Sequence, residues 1–206
     1  MRKIAFEGVS FSGKTTLASS LERESPEEIK MLAEYVVYAG GGQNFPPFPP
    51  KNKQEAIKSL EFFLNLERRR HKDIEALKDR PYFLVLDRSI VSLLGFRFAQ
   101  KYLHGIDIFE ETRQILGQEP QLAPDFVFYL DVNDKETARR LAVSQRPVGD
   151  LFIDPEFNRR LRQFFDWLKE NRDYPLITIH ADRPIEDVKK DIRKILDNIK
   201  DGKVVL

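Results

Sequence analysis

Hydrophobic and polar positions follow two rhythms along this chain. Short, nearly unbroken apolar runs at Lys3–Phe6, Ile29–Val37, Tyr82–Leu86, Phe126–Leu130 and Leu176–Ile179 predict strands. Between them, apolar residues recur at helical spacing over Lys14–Glu24, Lys53–Leu77, Ser89–Tyr102, Ile108–Leu116, Asp134–Val143, Pro155–Asn171 and Pro184–Ile199. A run such as Phe83-Leu84-Val85-Leu86 is apolar on both of its faces, as a strand covered from both sides must be. Strands alternating with helices predict an α/β fold, a three-layer α/β/α sandwich around a five-stranded parallel sheet. Right-handed crossovers leave few topologies for it. Three stretches break the rhythm. Gly40-Gly41-Gly42 leads into Phe45-Pro46-Pro47-Phe48-Pro49-Pro50, which can be neither helix nor central strand. This loop, about 38–52, is read as a surface loop or an acceptor-side flap. The second break is Arg146–Asp150, between two helices, and the third is the tail Asp201–Leu206.

Composition narrows the classes. A length of 206 residues fits one domain, 1–206, with a substantial core. Lys plus Arg number 34 and Asp plus Glu 33, a formal net charge of +1. That balance argues against a general nucleic-acid partner or a polybasic membrane anchor. Cysteine is absent, which excludes disulfides, thiolate zinc sites, iron–sulfur clusters and a cysteine nucleophile. His71, His104 and His180 share no ligand spacing. The apolar runs have strand length, so no membrane span is expected. Met1 runs into an apolar stretch without a secretory pattern, and a cytoplasmic protein is the expectation.

Candidate chemistry starts at Gly8-Val9-Ser10-Phe11-Ser12-Gly13-Lys14-Thr15, which fits G-x-x-x-x-G-K-[ST] and lies between a strand and a helix. The glycines let the backbone curl around a phosphate with its N–H groups turned inward, and the helix adds its positive end. Lys14 then reaches the β and γ phosphates, and the Thr15 hydroxyl ligates Mg²⁺. The ATP-binding set is Gly8, Ser10, Phe11, Ser12, Gly13, Lys14, Thr15 and Thr16. The loop contains no arginine, so charge developing on a transferred phosphoryl group must be neutralised from elsewhere.

A second constellation ends the buried strand Phe83–Leu86, where Asp87 and Arg88 follow. Ligands of open parallel sheets bind beyond the carboxyl ends of strands, where both Gly8 and Asp87 lie. Asp87 could hold a Mg²⁺-bound water or order Arg88, and Arg88 could clamp an acceptor phosphate or the transferring group. Asp87 or Ser89 could equally cap the next helix.

These residues resemble the thymidylate kinase and deoxynucleoside kinase superfamily. Phe6-Glu7-Gly8 with Gly13-Lys14-Thr15-Thr16 is similar to the opening of thymidylate kinases, and Asp87-Arg88 with Ser92 to their D-R-x-x-x-S segment. Pro124-Asp125 leading to Tyr129-Leu130-Asp131-Val132 resembles their fourth strand, and Leu64-Asn65-Leu66-Glu67-Arg68 the helix that carries an arginine onto the thymine base. The resemblance covers nearly the whole chain. It implies a P-loop nucleotide kinase of homodimeric habit, with ATP and Mg²⁺ as cofactors, and acceptor-side roles for Phe63, Leu64, Arg68, Arg88, Ser92 and Arg97. Asp87-Arg88-Ser89-Ile90 and Arg97-Phe98-Ala99 also resemble deoxynucleoside kinases, in which a carboxylate after the second strand is the base on the 5′-hydroxyl; Glu34 has a comparable place. The departures fall on the acceptor side and the variable part of the loop. Ser10-Phe11 replaces Asp-Gly, Ala33 replaces an arginine that binds the acceptor phosphate, Leu64 replaces a stacking aromatic, and Phe96-Arg97 replaces tyrosine and glutamine.

Arg139, Arg140 and Arg146 precede the break at 147–150. They are read as solvated helix or as a lid, about 139–153, that closes over the triphosphate and supplies the missing arginine; Arg146 is assigned to the moving group, Arg139 and Arg140 to ATP. Arg68, Arg69 and Arg70 point about 100° apart, so at most two face a pocket; Arg69 and Arg70 are expected at the solvated surface. Mg²⁺- and ATP-dependent transfer to a nucleoside monophosphate, dTMP first, is the expected function. The alternatives are transfer to a nucleoside with Glu34 as base, and an ATP-binding protein with a degenerate acceptor site. A GTPase lacks support, since neither N-K-x-D nor D-x-x-G occurs.

Overall fold

The computed structural model describes residues 1–77, 80–144 and 149–203. Five strands form one sheet: β1 (Arg2–Glu7), β2 (Ile29–Leu32), β3 (Phe83–Asp87), β4 (Phe126–Asp131) and β5 (Leu176–His180). Their order is β2-β3-β1-β4-β5, and every pairing is parallel. Helices α1 (Lys14–Glu24), α2 (Tyr35–Tyr38), α3 (Lys53–Glu75), α4 (Ile90–His104), α5 (Phe109–Gly117), α6 (Asp134–Val143), α7 (Pro155–Asn171) and α8 (Ile185–Lys200) complete the described chain. The three-layer sandwich expected from the alternating pattern is the architecture found.

Strand alternation sorts the core. Ile4, Phe6, Phe128 and Leu130 face α1 and α8, and meet Leu17, Leu21, Ile192 and Leu196. Val127 and Tyr129 face the other way, onto a core shared by α3, α4, α5 and α7. Tight packing brings α4 and α7 together, for a Cβ on Gly95 would lie 3.0 Å from the Phe164 ring.

Local chemistry sets the ends of the helices. Asn52 accepts from Glu55 N–H, and Glu55 accepts from Lys51 N–H, a reciprocal cap that starts α3. Asp154 caps α7, with Pro155 as its first residue. Gly105 ends α4 in the left-handed conformation.

One boundary differs from the pattern. The apolar run 29–37 is a strand only to Leu32, after which Tyr35–Tyr38 turn into a helix. The reason is pairing. Leu32 lies opposite Leu86, and β3 ends one residue later, so the chain beyond has no partner strand to its side. The break places Glu34 at the carboxyl edge of the sheet. The loop beyond it is docked rather than free, with Phe45 against Phe62 and Phe63, and Phe48 against Phe96 and His104.

Candidate active site

The cradle is built where β1 hands over to α1. Gly8 has φ 139°, and a Cβ there would lie 2.7 Å from the Leu130 carbonyl oxygen, so only glycine fits. Gly13, at φ 100°, turns the chain into the helix. Phe11 also has positive φ, 62°, without being glycine. Lys14 is buried and folds back over its own loop. Its Nζ donates to the carbonyls of Val9 (2.7 Å) and Gly8 (3.1 Å) and to Ser12 Oγ (3.1 Å). Burial, then the nearby Arg88 charge, pulls the Lys14 pKa down to about 7. Thr16 faces solvent.

Thr15 Oγ1 donates to Asp87 Oδ2 at 2.6 Å, which joins the start of α1 to the end of β3. Asp87 Oδ1 is buried and has no hydrogen-bond partner among the described residues. Burial raises the Asp87 pKa above its ordinary value. A hydroxyl and a carboxylate with a free oxygen, beside a phosphate cradle, form the hard donor set that suits Mg²⁺. Among the described residues no cluster of three or more His, Asp or Glu competes for a metal.

Arg88 follows Asp87 with φ 65°, a left-handed backbone that costs a non-glycine residue about 1–3 kcal/mol. Its Nε donates to Glu34 Oε1 at 2.6 Å, and Nη1 approaches Gly8 O and Ser92 Oγ at 3.4 Å. Burial works to raise the Glu34 pKa, but the Arg88 charge and then that of Lys14 outweigh it and hold this carboxyl low. Beneath lies Glu7, fully buried, which accepts from Ser89 N and Oγ (2.8 Å each) and from Ser92 Oγ (2.5 Å). Ser92 thus serves the frame of the site through Glu7, and Ser89 caps α4.

Arg70 was expected at the solvated surface; it is fully buried instead. Its Nη1 donates to Glu67 Oε2 (2.6 Å), its Nη2 to the carbonyl of Arg88 (3.0 Å), and its guanidinium lies over the Tyr35 ring. Arg70 therefore props the strained turn at Arg88. Arg68 points away from this centre and pairs with Glu119 on an exposed face. Leu64 is buried in the core, and Phe63 meets Tyr35 and Phe45. Arg97 is buried between α4 and α3. The packing of α3 decides which of the three adjacent arginines turns inward, and Glu67, three residues earlier, is the sequence signal that marks Arg70.

On the donor side, Arg140 Nη1 donates to the carbonyls of Phe11 (3.2 Å) and Ser12 (3.0 Å), and Nη2 to that of Ala181 (2.6 Å). Arg139 is exposed and pairs with Glu136. Arg146, and with it the middle of the expected lid at 139–153, lies outside the described residues.

Residues 50–192 match the sequence profile of the family described as thymidylate kinase. Over 204 residues the chain is 28% identical to a probable thymidylate kinase of Archaeoglobus fulgidus, with 95% of this chain and 94% of that protein covered. It is 27% identical over 203 residues to a thymidylate kinase of Staphylococcus haemolyticus, with 95% and 97% covered. Among solved structures, a deoxyadenosine kinase from M. mycoides with bound dATP superposes with a TM-score of 0.66 at 18% identity, covering 96% of this chain and 100% of that one. A thymidylate kinase from Candida albicans gives 0.67 at 21% identity, covering 100% of this chain and 95% of that one.

Proposed function

Since the chain belongs to the thymidylate kinase family, and is thereby a nucleotide or nucleoside kinase, we propose that it transfers the γ-phosphoryl group of ATP to a deoxynucleoside monophosphate, dTMP foremost. The observation that carries this reading is the pair of Glu34 and Arg88. A 5′-hydroxyl acceptor needs a base, and the Glu34 carboxylate is a weakened one, because Arg88 and Lys14 lower its affinity for protons. A phosphate acceptor is already ionised and needs none. It needs a cation, and Arg88 still offers the part of its guanidinium fork that Glu34 does not use.

In this reading Lys14 leaves the carbonyls of Gly8 and Val9 and turns its charge onto the incoming phosphates. The backbone N–H groups of the loop and the first turn of α1 complete the cradle. Thr15 and Asp87 would hold Mg²⁺, which would supply positive charge to offset that of the phosphates. Arg140 steadies the loop through two carbonyls and stands at the donor side with Arg139. Arg88 aligns the acceptor phosphate. Little covalent work is asked of the protein; the rate comes from positioning and charge neutralisation. A homodimer in the cytoplasm belongs to the same proposal. Among the described residues no helix is long and apolar enough to cross a membrane.

The test is ADP release with MgATP over deoxynucleosides and their monophosphates. Turnover of dTMP without turnover of thymidine is expected. Turnover of thymidine in preference to dTMP would move the assignment to nucleoside phosphorylation with Glu34 as base, and ADP release with neither would leave only nucleotide binding.

A further inference from the structure

Glu34 and Arg88 come from separate elements. Glu34 stands at the start of α2, where its carboxylate makes no capping bond, and Arg88 follows β3 in a left-handed turn. Their 2.6 Å bond therefore depends on what fixes the backbone on each side. Helix α2 has only four residues, too few to hold itself together. It lies against the last turns of α3 in register, with Tyr35 on Arg70 and Tyr38 on Asp73. The Tyr38 hydroxyl donates to Asp73 Oδ2 at 2.8 Å, and Arg69 Nη1 approaches the Tyr38 carbonyl at 3.4 Å.

Arg70 joins this clip to the end of β3. Its guanidinium carbon lies 4.7 Å from the centre of the buried Tyr35 ring, and Tyr35 is the residue after Glu34. Its Nη2 donates to the Arg88 carbonyl at 3.0 Å and approaches that of Asp87 at 3.4 Å. Arg88 lies beyond the last residue of β3, and a buried carbonyl there requires a donor from outside the strand ladder. Nη1 is engaged by Glu67 at 2.6 Å, which offsets the buried charge. Arg70 is fully buried, so it cannot itself touch a substrate.

We infer that Arg70 is the positioning residue of the acceptor site: it holds the Arg88 carbonyl on one side and the Tyr35 ring beside Glu34 on the other, and so fixes how the two side chains meet. The inference rests on the proposed role of Arg88 toward the acceptor phosphate. Without this anchor the strained turn is free to relax toward an ordinary backbone, which swings the Arg88 fork off its line. A misplacement of about 1 Å costs on the order of 10²-fold in rate. The phosphate cradle is built on β1 and α1, and Asp87 keeps its own tie to Thr15, so donor binding is spared.

The experiment combines steady-state kinetics on dTMP with a separate titration of ATP binding. Arg70→Met is expected to lower kcat/KM for dTMP about a hundredfold, with KM for dTMP raised about tenfold and Kd for ATP within about threefold of wild type. This variant leaves Glu67 as a lone buried charge, so its melting temperature falls as well. Arg70→Met combined with Glu67→Met removes both charges, and apolar replacement of a buried pair is often neutral for stability. The double variant should regain the melting temperature and keep the kinetic loss. Added to Arg88→Ala, Arg70→Met should cost less than about a further threefold, since both changes act on one group. An unchanged kcat/KM in Arg70→Met, an equal loss of ATP affinity, recovery of kcat/KM together with stability in the double variant, or losses that multiply with Arg88→Ala each overturn the inference. If neither methionine variant folds, Arg70→Lys decides: wild-type kinetics overturn the inference, and a raised KM for dTMP at unchanged ATP affinity sustains it. Should thymidine be the acceptor instead of dTMP, the monophosphate reading fails, while the same comparisons made with thymidine still decide the role of Arg70.

Discussion

Thr15 Oγ1 and Asp87 Oδ2 stand 2.6 Å apart, so the first helix and the third strand are tied beside the candidate phosphate cradle. The second carboxylate oxygen is buried with no partner among the described residues. Asp87→Asn keeps the shape and a contact to Thr15 but removes the charge. The Mg²⁺ concentration for half-maximal activity should rise by about 10–100-fold, with kcat falling in the same range. A magnesium titration of ADP release checks this; an unchanged midpoint would take Asp87 out of the metal site.

Lys14 carries a proton test. Its pKa in the free protein lies near 7, because burial and the Arg88 charge disfavour the ammonium form. Bound phosphates favour that form, so the bound pKa must be higher. Between the two values the free protein lacks protons that the complex holds. ATP binding therefore takes up protons near pH 7.5, and affinity falls as pH rises through this window. Calorimetry in two buffers of different ionisation enthalpy should show net uptake, absent in Lys14→Met. Zero uptake by the wild-type protein would contradict the burial of this charge.

Glu34→Gln separates the two acceptor classes. With a phosphate acceptor no base is lost, and kcat for dTMP should stay within about tenfold of wild type, which is less than the 10²–10⁴ contributed by general base catalysis. The pH profile of kcat should keep its shape. A loss of a hundredfold or more, with the acidic limb of the profile gone, would identify Glu34 as a base.

Gly8→Ala places a Cβ 2.7 Å from the Leu130 carbonyl oxygen at a φ of 139°. A destabilisation of about 1–3 kcal/mol is expected, with loss of ATP binding. Urea unfolding and nucleotide titration measure the two effects. Full stability together with normal binding would mean that the cradle is far more compliant than its geometry.

The layers of the fold were legible because buried parallel strands have a plain signature, and Phe83–Leu86 bears it. The phosphate loop was legible because its glycines are demanded by backbone geometry local to the motif. Arg70 was not. Helical periodicity places Arg68, Arg69 and Arg70 on different faces, but which face turns inward depends on how α3 settles against β3. Glu67, three residues before Arg70, was the available signal, since a buried guanidinium needs a counter-charge within reach. The apolar run after Leu32 misled for a related reason. Val36 and Val37 suit a strand, but β3 stops at Asp87 and leaves them no ladder to join.

Glu7 belongs to both halves of the reaction centre. It is the last residue of β1, directly before the phosphate cradle, and its two oxygens bind the first turn of α4 through Ser89 and Ser92. The loop after β1 and the start of α4 are therefore tied to one carboxylate. Under the proposed reading, retuning the acceptor begins beyond that turn, with Ser89 and Ser92 left in place to hold the frame.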